Sequence, residues 1–163
     1  MKFFCLLLLI FFYTSCGMKK LMIHVDKWQP YCGGARPTDE QAKGEKTAFS
    51  NEKFKLHFKD KPSLDLIITL DEKGNWNGKI PKNLSCTIFR LDKTISLDQL
   101  HKKYTVDLGS FYSKIEEKEL IEWQSQADFI LQNNKSEYVN FEVRENCFVG
   151  LNPCIRYIGP KPK

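Results

Sequence analysis

The residues able to do chemistry in this chain are few and scattered. It has three histidines and six cysteines. His24, His57 and His101 belong to no metal-binding motif: Cys-x-x-Cys spacing is absent, and no histidine lies beside a candidate cysteine pair. His57 is flanked by Lys53, Lys55 and Lys59, cations that disfavour its charged form. Glu116, Glu117 and Glu119 could hold a metal or serve as an acid–base set. They fall, however, in the first turns of an expected helix, where carboxylates complement the dipole, and a solvated face accounts for them. No catalytic residue, metal or cofactor is therefore expected.

Four cysteines, Cys32, Cys86, Cys147 and Cys154, are disulfide candidates, and four thiols allow three pairings. Cys147 and Cys154 sit close in sequence around Gly150 and Asn152-Pro153, which favours a local bridge. Cys32 would then tie the N-terminal segment to Cys86. The stretch from Trp28 to Thr38 carries two prolines and two glycines, which forbid a regular helix. It reads first as a constrained loop packed on the domain through its large rings. As a binding loop it would offer Trp28, Tyr31 and Arg36 as contacts, with Gly33-Gly34 giving close backbone access. It lacks the spacing of a phosphate-binding loop.

The chain's first residues decide its compartment. Met1-Lys2 precede an unbroken apolar run over residues 3–13. A spanning helix needs about 20 residues, so the run reads as the hydrophobic part of a signal peptide. It ends in Thr14-Ser15-Cys16-Gly17, which resembles a bacterial lipobox, with Tyr13 standing where leucine is usual. The resemblance implies cleavage before Cys16 and lipidation of that residue, so the mature chain would be anchored without spanning. Gly17, where an aspartate would signal inner-membrane retention, points to the outer membrane. The expected organisation is a signal peptide over 1–15, a lipid-anchored tether with the Cys/Gly loop over 16–50, and a β domain over 51–163. The net charge of +5 is spread among acids with no basic block, which argues against a nucleic-acid partner.

The element signals are mostly strands. Phe54, Leu56 and Phe58 alternate strictly with charged residues, the clearest strand in the chain. Leu64, Leu66, Ile68 and Leu70 share one face of the next. Asp71-Glu72-Lys73-Gly74 then reads as a type I turn. Trp76, Gly78 and Ile80 resume the alternation, and a third strand starts at Cys86, so residues 64–91 read as a β-meander. Residues 18–25 are expected as a tether or edge strand, 39–51 as a linker or short helical turn, and 97–100 as a helical turn carrying His101. Ser113-Lys114-Ile115-Glu116 has the form of a capping box opening a helix to about Gln124. Ala127, Phe129 and Leu131 pair in a hairpin with Val139, Phe141 and Val143, and 154–158 forms the last strand.

These signals predict a mainly β fold, an Ig-like antiparallel β-sandwich of about seven strands with one short helix. The run Thr69-Leu70-Asp71-Glu72-Lys73-Gly74-Asn75-Trp76, followed by Lys79-Ile80-Pro81 and the strand from Cys86, resembles the carboxypeptidase regulatory-like, or transthyretin-like, domain over roughly thirty residues. Transthyretin-like hydroxyisourate hydrolases end in Tyr-Arg-Gly-Ser. This chain has Arg156-Tyr157-Ile158-Gly159-Pro160 there, and that activity is not carried over. The sequence thus points to a non-catalytic, lipid-anchored binding or structural module of the cell envelope, with the membrane and an envelope protein as partners. The rival readings are a small periplasmic hydrolase or metal-dependent enzyme using His24, His57 or His101, and an accessory subunit of an outer-membrane complex.

Overall fold

The computed structural model describes residues 17–34, 36–104, 109–132 and 137–160. Among these the fold is mainly β, with ten strands in three sheets and three helices. The first sheet is built on β1 (Met18–Gln29) and holds β2 (Glu45–Ala48), β5 (Asn75–Pro81) and β9 (Tyr138–Arg144). The second runs in the order β4 (Leu66–Thr69), β3 (Lys53–His57), β6 (Cys86–Arg90), β8 (Phe129–Leu131). A two-stranded ribbon pairs β7 (Tyr112–Lys114) with β10 (Ile155–Tyr157). The helices are α1 (Asp39–Ala42), α2 (Leu97–Lys103) and α3 (Glu117–Ser125).

β1 is neither a tether nor an edge strand. Leu21, Ile23 and Val25 alternate inward and are fully buried, and both edges of the strand are paired. β9 runs parallel along one edge from Met22 to Trp28. Along the other edge β5 covers Met18–His24 and β2 covers Asp26–Gln29, both antiparallel. The gap between them is closed at Val25, whose N–H donates to Gly74 and whose carbonyl accepts from Phe49. Gly74 is required there. Its φ is +73°, and a Cβ would stand 2.5 Å from the Val25 carbonyl oxygen.

The strands expected over residues 64–91 are present, but they do not form a meander. β4 and β6 both pair with β3, while β5 crosses to the first sheet. The Asp71–Gly74 turn forms as expected, with Asp71 Oδ1 accepting from the N–H groups of Lys73 and Asn75. It connects two sheets instead of two paired strands. Only Ile68 and Leu70 of the expected inward face are buried; Leu64 and Leu66 lie exposed. The hairpin over residues 127–143 fails in the same way, because β8 pairs with β6 and β9 lies parallel to β1. In each case a longer apolar strand elsewhere captures the local partner, and alternation alone carries no information about which strand that is.

Two hydrophobic clusters result. The larger takes residues from both four-stranded sheets. Phe54 contacts Phe49 and Phe141 edge-on at 5.9 and 5.7 Å, and Phe129 stacks on Phe141 at 5.1 Å. The smaller joins Leu100 of α2, Leu120 of α3 and Cys154 under Tyr104, Ile115 and Trp123.

The helical turns expected within 39–51 and at 97–100 form as α1 and α2, beside the one longer helix expected, α3. The capping boxes that form are Thr38 with Gln41 and Ser96 with Gln99, at the starts of α1 and α2. Ser113 lies in β7, and α3 begins at Glu117 without a side-chain cap.

The disulfide also differs from expectation. Cys32 bonds Cys147, 115 residues away, with Cα atoms 5.5 Å apart. Parallel pairing is the reason: Trp28 lies beside Arg144, so the chain leaves β1 and β9 at the same end and carries the two cysteines together. Cys86 and Cys154 are instead buried free thiols, one in each cluster. In the chain-entropy account, closing a loop of this size contributes about 4–5 kcal/mol.

Candidate functional site

The candidate site forms where β6 ends and the C-terminal segment crosses it. Arg90 and Asp92 are the buried charged residues among those described. Arg90 occupies the inward position after Cys86 and Ile88 on β6, and the 3-10 turn over Leu91–Thr94 brings Asp92 back beside it. Arg90 Nε donates to Asp92 Oδ1 at 3.1 Å and its terminal nitrogen to Oδ2 at 2.5 Å. Tyr104, at the end of α2, donates its hydroxyl to Oδ2 at 2.5 Å.

Burial pushes the Asp92 carboxyl up, but the Arg90 hydrogen bonds and charge, with the Tyr104 hydroxyl, outweigh it and hold the group below its ordinary value. Arg90 is lowered by burial and raised more by Asp92, so it stays charged. Burial and the Asp92 contact push the Tyr104 phenol up. The three form a fixed ionic hub, not an acid–base couple poised near neutrality.

Around the hub, Trp123 of α3 lies under two cations, Arg90 at 5.5 Å and Lys93 at 5.1 Å. Lys93 also pairs with Asp128 at 2.9 Å, and Asp128 accepts the Arg90 backbone N–H. The outward side of this assembly is a cleft of about 770 Å³. Its walls include Trp123, Phe148, Tyr157, Arg144 and Arg156. Phe148 packs on Tyr157 at 4.4 Å, and Tyr112 meets Tyr157 edge-on at 5.5 Å. The Asn146–Gly150 segment is closed by two reciprocal backbone hydrogen bonds, which present Phe148 half-exposed at the rim. The cleft therefore offers aromatic faces beside guanidinium groups, equipment for holding a ligand.

The residues singled out in the sequence fall in several places. The Trp28 indole donates to the Lys43 carbonyl at 2.9 Å, and its ring lies 5.1 Å from the Arg144 guanidinium. Gly44, at φ +69°, lets the backbone pass against that ring. Trp28 is thus a structural support behind a wall of the cleft. Tyr31 is half-buried beside the disulfide, and Arg36 is exposed. The disulfide brings this loop to the cleft, since Cys147 lines it.

Each histidine keeps separate company. His24 sits on β1 with Asn75 and Asp26, His57 on β3 with Asp65, and His101 within α2. Among the described residues no group of three or more His, Cys, Asp or Glu is arranged to hold a metal. Burial pushes the Cys86 thiol up to about 11 and raises that of Cys154, so both are protonated at neutral pH. Cys16 lies outside the described residues.

Sequence reasoning missed Arg90, Asp92 and Trp123 as a unit. The available signal was an arginine at an inward position of a strand, which requires a buried carboxylate nearby. The class that fold and site define is a mainly β domain of several sheets with an aromatic cleft. The chain matches no protein-family model, no curated protein and no solved structure.

Proposed function

We propose that the chain is a non-catalytic module of the cell envelope, lipid-anchored through Cys16 to the outer membrane. Its two four-stranded sheets would pack as a sandwich around the shared core, in the manner of transthyretin-like domains, and its cleft would hold a ligand or an envelope partner.

The observation that carries the envelope assignment is the Cys32–Cys147 bond, because such bonds persist in oxidising compartments and are rare in the cytosol. The lipobox-like Ser15-Cys16-Gly17 supplies the anchor. A binding role is favoured over a catalytic one because the ionisable groups of the hub, Arg90, Asp92 and Tyr104, are saturated by one another.

Metabolic palmitate labelling of cells making the full chain tests the anchor. The wild type is expected to take label and fractionate with membranes, and Cys16→Ala to lose both. Persistent labelling of Cys16→Ala sinks the proposal.

A further inference from the structure

We propose that the outer face of the first sheet at the start of β1, formed by Met18, Lys20, Met22, Lys79 and Tyr138, docks flat on an anionic phospholipid surface. The inference rests on the reading that Cys16 carries the lipid and says how the domain then sits.

The first support is the length of free chain. Gly17 follows Cys16 directly, and its carbonyl already accepts the Lys82 N–H at 2.8 Å, extending the β1–β5 ladder. An acyl group on Cys16 would therefore be joined to the sheet through one residue, with no tether between them. From Met18 to Met22 the strand advances only about 13 Å at its usual rise, so the whole face lies within reach of the anchored surface.

The second support is what that face carries. Leu21, Ile23 and Val25 point into the core, so Lys20 and Met22 point out. Met18 is 49% exposed, Met22 41% and Tyr138 51%, unusual for large apolar side chains on one sheet face. Met22 stands between Asn77 and Tyr138 across the two ladders, and these residues line a groove of about 600 Å³. Lys20 and Lys79 are direct cross-strand partners. Like charges placed opposite one another destabilise a sheet, and among the described residues neither lysine is ion-paired. Glu137 is the one carboxylate in the groove lining, and Lys82, hydrogen-bonded to Gly17, adds a further cation beside the start of β1. Paired lysines beside methionine and tyrosine match a headgroup layer, where phosphates meet the cations and the amphipathic side chains enter the interface.

The test uses the mature chain, exported with Cys16→Ser so that it carries no lipid, and sedimented with phosphatidylcholine vesicles with and without phosphatidylglycerol. Binding is expected only to the anionic vesicles, falling as salt is raised. Lys20→Glu with Lys79→Glu should weaken it at least about tenfold. Both positions are exposed, so the fold should persist, as circular dichroism would verify. Lys59→Glu with Lys118→Glu carries the same charge change elsewhere and should leave binding within about twofold. Equal binding to neutral vesicles, or equal losses in the two double variants, overturns the docking face. Vesicle binding without palmitate labelling of the wild type would retain the face and remove the anchor. Labelling without vesicle preference would do the reverse.

Discussion

The large core that draws residues from both four-stranded sheets and the smaller cluster joining α2 and α3 are held by different means. The first is a continuous apolar packing in which Phe49, Phe54, Phe129 and Phe141 interlock. Among the described residues the second has only Leu100, Leu120 and Cys154 buried, and it closes on Arg90, Asp92 and Tyr104 instead. Apolar packing is non-directional and tolerates exchange of similar volumes. The ionic hub is directional and fails if one partner is removed. The cleft is built against the hub, so the less forgiving of the two regions is the one that shapes the candidate site.

The sharpest way to break this contrast is to injure each region in its own terms. Phe54→Ala should cost about 4 kcal/mol in urea unfolding, because the ring is fully buried and makes two edge contacts. A loss below about 1 kcal/mol would mean that the large core collapses around the hole and is not close-packed. Arg90→Met comes next, at about 3 kcal/mol, since it leaves the Asp92 carboxylate buried without its cation. Arg90→Met combined with Asp92→Asn should recover at least half of that loss, because the stranded charge is gone and Tyr104 keeps an acceptor. No comparable rescue is expected for Phe54→Ala from a polar exchange. If the double variant is as unstable as the single, the hub acts through packing, and the two regions are alike after all.

The same contrast decides what could be read from the sequence. Alternation at Phe54, Leu56 and Phe58, and at Val139, Phe141 and Val143, marked strands that form and side chains that are buried. What alternation cannot carry is pairing, because a strand's inward face looks the same whichever neighbour it acquires. Alternation alone therefore points β5 and β9 to their sequence neighbours, although β1 takes both. The disulfide was missed for the same reason, since its geometry follows from the parallel β1–β9 pair. β1 itself was obscured by its outward Lys20, Met22 and His24, which made a buried strand look like a mixed segment. At the hub, Arg90 and Asp92 are only two residues apart, but nothing local in the sequence says that Trp123 and Tyr104 will close over them.

The outer face of the second sheet offers the gentlest comparison with the buried hub. Asp65 there accepts from the Phe58 N–H at 3.0 Å and His57 Nδ1 at 2.9 Å, and pairs with Lys55 at 3.0 Å. Partial burial pushes its carboxyl up, but the His57, Phe58 and Lys55 hydrogen bonds outweigh that and bring it to about 2, against an ordinary 3.8. A folded-state value below the unfolded one means that the contribution is complete above 3.8 and disappears as pH falls through about 2. Allowing for solvent screening, it amounts to about 1 kcal/mol. The stability difference between wild type and Asp65→Asn should therefore shrink to nothing across that acid window. It should also shrink at neutral pH when salt is raised, because partly exposed ion pairs are screened. The Arg90–Asp92 pair, shielded from solvent, should keep its contribution in the same salt series. Equal salt sensitivity at the two sites would show that water reaches the hub, and would erase the distinction between an exposed ion pair and a buried one on which the site's rigidity depends.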